Sequence, residues 1–167
     1  MNPAAVRPAT SADLPALGRL GAQLVRLHHG FDPERFVAPT TRTAEGYGDW
    51  LGSQLADPEA VVLVAVHAGE VVGYAYAGVE GHDWMALRGP AGVIHDLVVD
   101  AAHRGAGVGS LLLTATIRAL VGLGAPRVVL ATAARNAGAQ RLFARAGFRP
   151  TMVEMTRESD EASDARR

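Results

Sequence analysis

Residues 103–109 read HRGAGVG, three glycines at alternate positions directly behind Arg104. The stretch lies between two apolar runs, VIHDLVV and SLLLTATIRAL, which predicts a strand, a glycine turn and a helix. Glycine permits positive φ and the close approach of a ligand. The first amides of a helix are unpaired donors at the positive end of its dipole. Such a turn is a cradle for an anion; a turn built only for tight packing is the alternative. Two common phosphate loops do not match. Gly109 is followed by Ser110 and Leu111, whereas a Walker loop needs Lys and then Ser or Thr. The glycines are spaced two then two, whereas a dinucleotide fingerprint needs two then three.

The apolar run ahead of the turn carries two groups that can move protons, His95 and Asp96. Regular alternation sets His95, Leu97 and Val99 on one face and Asp96, Val98 and Asp100 on the other. A bulge, frequent near active sites, would reverse the facing of Asp96. Imidazole is a common general base, although a histidine in an apolar strand also serves as a hydrogen-bonded core residue. Two irregular segments supply further groups. HHGFDPERF offers His28, His29, Phe31, Asp32 and Phe36, and GHDWMALRG offers His82, Asp83, Trp84 and Arg88. Acidic residues there suit an ammonium group, and Trp84 can add a cation–π contact. The same aromatics could equally cover a core or a dimer surface.

These groups need a framework to hold them. Val6–Ala9 reads as a short strand. Thr10 with Asp13 forms a capping-box variant, and Leu14, Leu17, Leu20, Leu24 and Leu27 recur at helical spacing over about residues 11–28. A second helix is expected around Ala44–Leu55. AVVLVAV, the turn HAGE and VVGYAYAGV read as a buried hairpin. A strand Val93–Val99, the glycine turn and a helix ended by Gly122, Gly124 and Pro126 follow. Val128–Ala131 reads as a strand, Asn136 opens a last helix that GFRP stops, and Thr151–Thr156 reads as a final strand. Residues 158–167 form a polar, mixed-charge tail expected to be disordered. The order β, α, α, β, β, β, α, β, α, β predicts one mixed α/β domain over residues 1–157.

With 167 residues the chain suits a single domain. Its formal net charge of −1 gives a bulk polyanion such as DNA little to gain. No apolar run is long enough to span a membrane, and the opening MNPAAVRPAT lacks a basic start and apolar stretch, so no secretory signal is expected. The chain has no cysteine, which excludes a thiol nucleophile, a disulfide framework and Cys-ligated zinc. All 16 basic residues are arginine, as in a GC-rich, bacterial-like coding bias. A cytoplasmic location fits.

Arg104-x-x-Gly107-x-Gly109, behind the run Leu97-Val98-Val99-Asp100, resembles the pyrophosphate signature of the GCN5-related N-acetyltransferase (GNAT) superfamily. Asn136-x-x-Ala139-x-x-Leu142-Phe143-x-x-Ala146-Gly147-Phe148 resembles that family's C-terminal motif. The order of elements agrees over nearly the whole chain. The resemblance implies a mixed, mostly antiparallel central sheet flanked by helices, with acetyl-coenzyme A as the acetyl donor. By that likeness, amides over Arg104, Gly105, Ala106, Gly107, Val108, Gly109 and Ser110 hold the diphosphate. The Leu97–Val98–Val99 backbone pairs with the pantetheine arm, and Asn136 and Phe143 border it from the far side. Asn136 has a second reading as a helix N-cap, and Arg104 as a strand cap.

The implied reaction is direct attack of a primary amine, on a small molecule or a protein N-terminus, upon the thioester. A lysine-like amine costs about 4.6 kcal/mol to neutralise at pH 7, so a base should help. His95 leads for that role, where some members carry glutamate, and Asp96 follows; Asp83 and Glu80 are weaker. Residue 143 departs from the family, since many members place a proton-donating Tyr where this chain has Phe143. A coenzyme A thiolate with a pKa near 8.5 is a fair leaving group without one. The acceptor is expected to meet His28, Phe31, Asp32, Asp83 and Trp84, and a homodimer is in keeping with the family. Two other classes stay open: a degenerate module that binds acetyl-coenzyme A without turnover, and a metal-binding protein using His82, Asp83, His95 and Asp96.

Overall fold

The computed structural model describes residues 4–159. Along the chain run β1 (Ala5–Pro8), α1 (Leu14–Phe31), α2 (Thr43–Gln54), β2 (Ala60–His67), β3 (Glu70–Glu80), β4 (Ala91–Val99), α3 (Val108–Gly122), β5 (Val128–Leu130) and α4 (Ala137–Arg145). The five strands form one sheet in sequence order. All neighbours are antiparallel except β4 and β5, which are parallel. This is the mixed, mostly antiparallel sheet flanked by helices that the family resemblance implies. Among the described residues no helix is long and apolar enough to cross a membrane.

Alternation along the strands builds two cores, one on each face of the sheet. On one face Val61, Leu63, Ala75, Ala77 and Ile94 pack with Val108, Leu112 and Leu120 of α3 and Phe143 of α4. On the other, Val62, Val64, Tyr74 and Val98 pack with Leu17 and Leu20 of α1 and Leu51 of α2. The two helices on that face cross closely. A Cβ on Gly18 would stand 2.2 Å from the Ala44 carbonyl oxygen, and one on Gly21 would meet the Tyr47 ring at the same distance. The hairpin turn expected at HAGE forms with positive φ at Ala68 and Gly69.

Two expectations change. The first helix continues to Phe31 rather than about residue 28. The strand expected at Thr151–Thr156 does not form, and residues 151–159 are exposed without regular structure. Strand character becomes structure only against a partner edge, and β5, with three residues, offers little of one. Residues 160–167, which make up most of the expected tail, lie outside the described residues.

At the start of the chain Asp13 is buried and accepts a bidentate pair from Arg7 at 2.7 and 2.8 Å, together with the Thr10 amide at 2.8 Å. These bonds tie β1 to the start of α1, and the Arg7 guanidinium holds the carboxyl well below the usual carboxylate range. A depressed acid pKa stabilises the fold above the unfolded value and loses that effect as pH falls. Asp13→Asn should therefore cost about 1–3 kcal/mol at pH 6. In urea melts the difference from wild type should shrink below about pH 4.

Candidate active site

The parallel ladder of β4 and β5 comprises Gly92–Val128, Val93–Val129 and Ile94–Leu130. Beyond Ile94 the strands part while β4 runs on to Val99, so its edge from His95 onward faces a cleft instead of a strand. The cleft has a volume of about 830 Å³ and is bounded by β4, Leu130, Ala131 and Thr132, the glycine turn, α4 and the end of α1.

At the turn the backbone does what the glycines permit. Gly105 and Gly107 have φ of 79° and 84°, and Gly107 is the residue from which α3 starts. A Cβ at either position would meet nothing within 4 Å. The space above the turn is therefore open, and the first-turn amides of α3 lie at its edge. Arg104 spends its Nε–H on the Val99 carbonyl at 3.1 Å, the strand-capping reading of this side chain. Asn136 caps α4 by accepting from the Ala139 amide at 3.1 Å, while also lining the cleft. The cleft is further lined by Leu97, Val98, Val99, Gly109, Ser110 and Phe143. Ala106 is exposed outside it, and the Val108 side chain is buried in the α3 core.

Alternation on β4 fails at one place, and that place matters. Tyr76 of β3 pairs with Asp96 and the next residue, Ala77, with Ile94, so His95 is the extra residue of a bulge. Its imidazole stacks on the Tyr76 ring with centroids 5.0 Å apart. Asp96 accepts from the Tyr74 hydroxyl at 2.8 Å. Tyr74 and Tyr76 share one face of β3, so His95 stands with Asp96 on the α1/α2 side, whereas Leu97 and Val99 pack toward α3. The expectation that His95 shares a face with Leu97 and Val99 is corrected, because the inserted residue resets the period.

Burial pushes the Asp96 carboxyl above its ordinary value, against the opposing pull of hydrogen bonds from Tyr74 and Tyr47. Burial first, and Asp96 second, hold the hydroxyls of Tyr47 and Tyr74 protonated well above their usual range. Tyr47 reaches this point because Gly21 leaves room for its ring. His95 Nε2 lies 2.9 Å from Glu80 Oε1, and Glu80 also accepts from Arg88 at 2.9 Å.

Of the expected acceptor contacts, His28 and Phe31 line the cleft. Asp32 accepts from the amides of Glu34 and Arg35, and Asp83 from those of Met85 and Ala86, so both carboxylates hold loop turns instead. Trp84 is 74% exposed and stacks on His82, away from the cleft. His82 and Asp83 are thus not joined with His95 and Asp96, and no group of three potential metal ligands occurs among the described residues. Sequence reasoning missed Tyr47 and Tyr74. The alternating tyrosines of GYAYAG mark a face of β3, but nothing in the sequence pairs that face with Asp96.

Residues 23–148 match the model of the acetyltransferase (GNAT) family. The chain belongs to this family. Membership supports acetyl transfer in general, and GNAT enzymes generally use acetyl-coenzyme A. The GNAT chain is similar to a GCN5-related N-acetyltransferase from Ralstonia eutropha JMP134, with 26% identity, TM-score 0.70 and coverage of 93% of this chain and 98% of that one. A tetramutant of the BH1408 protein from Bacillus halodurans shares the fold at TM-score 0.79 and 22% identity, covering 93% and 99% of the two chains. Glucosamine-6-phosphate N-acetyltransferase from Arabidopsis thaliana shares it at TM-score 0.68 and 18% identity, covering 95% and 100%. No curated protein sequence matches the chain.

The residues of this GNAT chain suit such a cofactor. A diphosphate needs main-chain donors without side chains in the way, and the positive-φ glycines leave that space clear. An amide-bearing arm needs an unpaired strand edge, and β4 offers one beyond Ile94.

The raised Asp96 pKa carries a stability consequence. An acid whose folded pKa lies above its unfolded value costs the fold nothing at low pH and destabilises it increasingly as pH rises. Asp96→Asn keeps an oxygen for the Tyr74 hydroxyl and removes the partly buried charge. Its Tm should exceed that of wild type at pH 7.5, and the gap should close at pH 3.5, as read by calorimetric scans.

Proposed function

We propose that the chain is an N-acetyltransferase that moves an acetyl group from acetyl-coenzyme A to a primary amine, by direct attack of the amine on the thioester. The observation that carries this reading is that one cleft holds both an open glycine cradle and a partly buried carboxylate, Asp96. Acetyl-coenzyme A, when bound, would supply an acyl group activated as a thioester, whose leaving thiol resembles that of cysteine with a pKa near 8.5.

The chain's own residues supply binding and proton transfer. Amides from Arg104 to Ser110 hold the diphosphate, and the free edge of β4 at Leu97 and Val99 takes the arm. An amide of the same edge stabilises the developing oxyanion. Asn136 has spent its carbonyl on the helix cap, which leaves its NH₂ for the arm. Asp96 accepts the proton of the incoming ammonium, and its raised pKa moves its base strength toward neutral pH. Tyr74 holds the carboxylate in place. His95, one residue before it and held through Nε2 by Glu80, is the second base position. Phe143 is buried and packs edge-on to Phe148, so the thiolate leaves without a proton donor at that position.

Titration calorimetry with acetyl-coenzyme A tests the cradle. Micromolar binding is expected, weakened about tenfold or more by Gly107→Val, since the new side chain is strained at positive φ and fills the open space. Absence of binding at millimolar ligand overturns the reading. Thiol release above background with any amine rejects the binding-module alternative.

The two base positions separate by substitution. Asp96→Asn should lower turnover about tenfold or more, with coenzyme affinity little changed. His95→Ala should do the same if the imidazole shares the proton transfer. A variant as active as wild type at every pH removes that residue from the mechanism.

A further inference from the structure

The cleft differs sharply between its ends. Toward the turn and α4 its charged groups are Arg104, Arg141 and Arg145. Toward α1 it is walled by Leu24, Leu27, His28 and Phe31, and by Phe36 and Val37 of the following loop. The rings there are packed together, with His28 edge-on to Phe31 at 5.9 Å and to Phe36 at 5.0 Å. Among the described lining residues Asp96 is the one carboxylate, and no arginine lines the α1 end. His28 Nδ1 is occupied by the Leu24 carbonyl at 3.0 Å.

Two side-chain contacts hold the end of α1 and its following loop. Arg135, between β5 and α4, donates to the Phe31 carbonyl at 2.6 Å. Arg35 of the loop after α1 pairs with Glu154 of the C-terminal segment. The first joins the end of α1 to the segment between β5 and α4, and the second joins the following loop to the C-terminal segment.

We propose that the acceptor is a small monoamine carried on an apolar, aryl or branched-alkyl body. Asp96 pairs with one ammonium, and the apolar wall takes the body. A polycation would leave its further ammonium groups unpaired against leucine and phenylalanine, which is costly. A phosphorylated amino sugar would need a cationic fork at the α1 end, and Arg35, the guanidinium of that loop, is engaged with Glu154 and the Phe36 ring. This inference rests on the acetyltransferase reading for the word acceptor, whereas the ligand class follows from the wall itself.

The test compares 2-phenylethylamine and isoamylamine with spermidine, kanamycin, glucosamine 6-phosphate and a peptide beginning with leucine. Thiol release is followed at saturating acetyl-coenzyme A, and amine binding is measured separately by calorimetry on protein loaded with coenzyme A. The apolar monoamines should exceed the others in kcat/KM by about tenfold or more. Phe36→Ser should raise KM for 2-phenylethylamine about tenfold while leaving coenzyme affinity unchanged. Preference for the polycations, the sugar phosphate or the peptide overturns the proposal, as does failure of both monoamines to bind at millimolar concentration. Saturable binding of 2-phenylethylamine, lost in Phe36→Ser, without thiol release from any amine, refutes acetyl transfer and upholds the ligand class.

Discussion

The parting of β4 from β5 after three paired residues is the constraint on which the rest of the site depends. A parallel pair extended to Val99 would satisfy the backbone of β4 and bury Leu97 and Val99 in a continuous sheet. Because the pair stops at Ile94, the polar backbone beyond it needs another partner. The glycine turn that follows β4 and the opening of α4 at Asn136 both border the gap so created. Leu142 of α4 stands 3.3 Å from where a Cβ of Gly109 would be, so α4 touches the start of α3 beside the cleft.

One inserted residue then decides which chemistry faces that gap. The bulge at His95 turns two consecutive side chains to the same face of the sheet, where regular pleating would separate them. The arrangement has a cost, since Asp96 is pushed toward its neutral form by burial. Tyr74 and Tyr47 offset part of it by hydrogen bonding to the carboxylate. The same low-dielectric setting that penalises the charge makes the group a stronger base. Stability and reactivity are thus set against each other at a single residue.

Charge is divided along the cleft in a way that matches a reaction between an anionic donor and a cationic acceptor. Arginines and helix amides occupy one end, and a single carboxylate within an apolar wall occupies the other. The carboxylates that looked most available in the loops are committed elsewhere. Asp32 and Asp83 accept main-chain amides of their own turns, which short acidic side chains in loops commonly do. Neither residue lines the cleft.

What the sequence determined by itself was local. Apolar runs and turn residues located the four α-helices and five strands of the described residues. The alternating glycines behind Arg104 announced positive φ ahead of a helix, and Asn136 announced a cap. Each of these follows from the conformational preference of one residue or the period of a short run, and so is legible without neighbours. The strand expected at Thr151–Thr156 fails for the converse reason, because a strand exists only with a partner edge and the sequence does not say whether one is available. The tertiary structure alone decided that His95 and Asp96 face the same way, that Tyr74 and Tyr47 meet Asp96, and that His28 and Phe31 line the cleft while Trp84 does not. Those outcomes turn on register across a bulge and on the close crossing of α1 and α2 at Gly18 and Gly21. They are relations between distant segments, and no single segment encodes them.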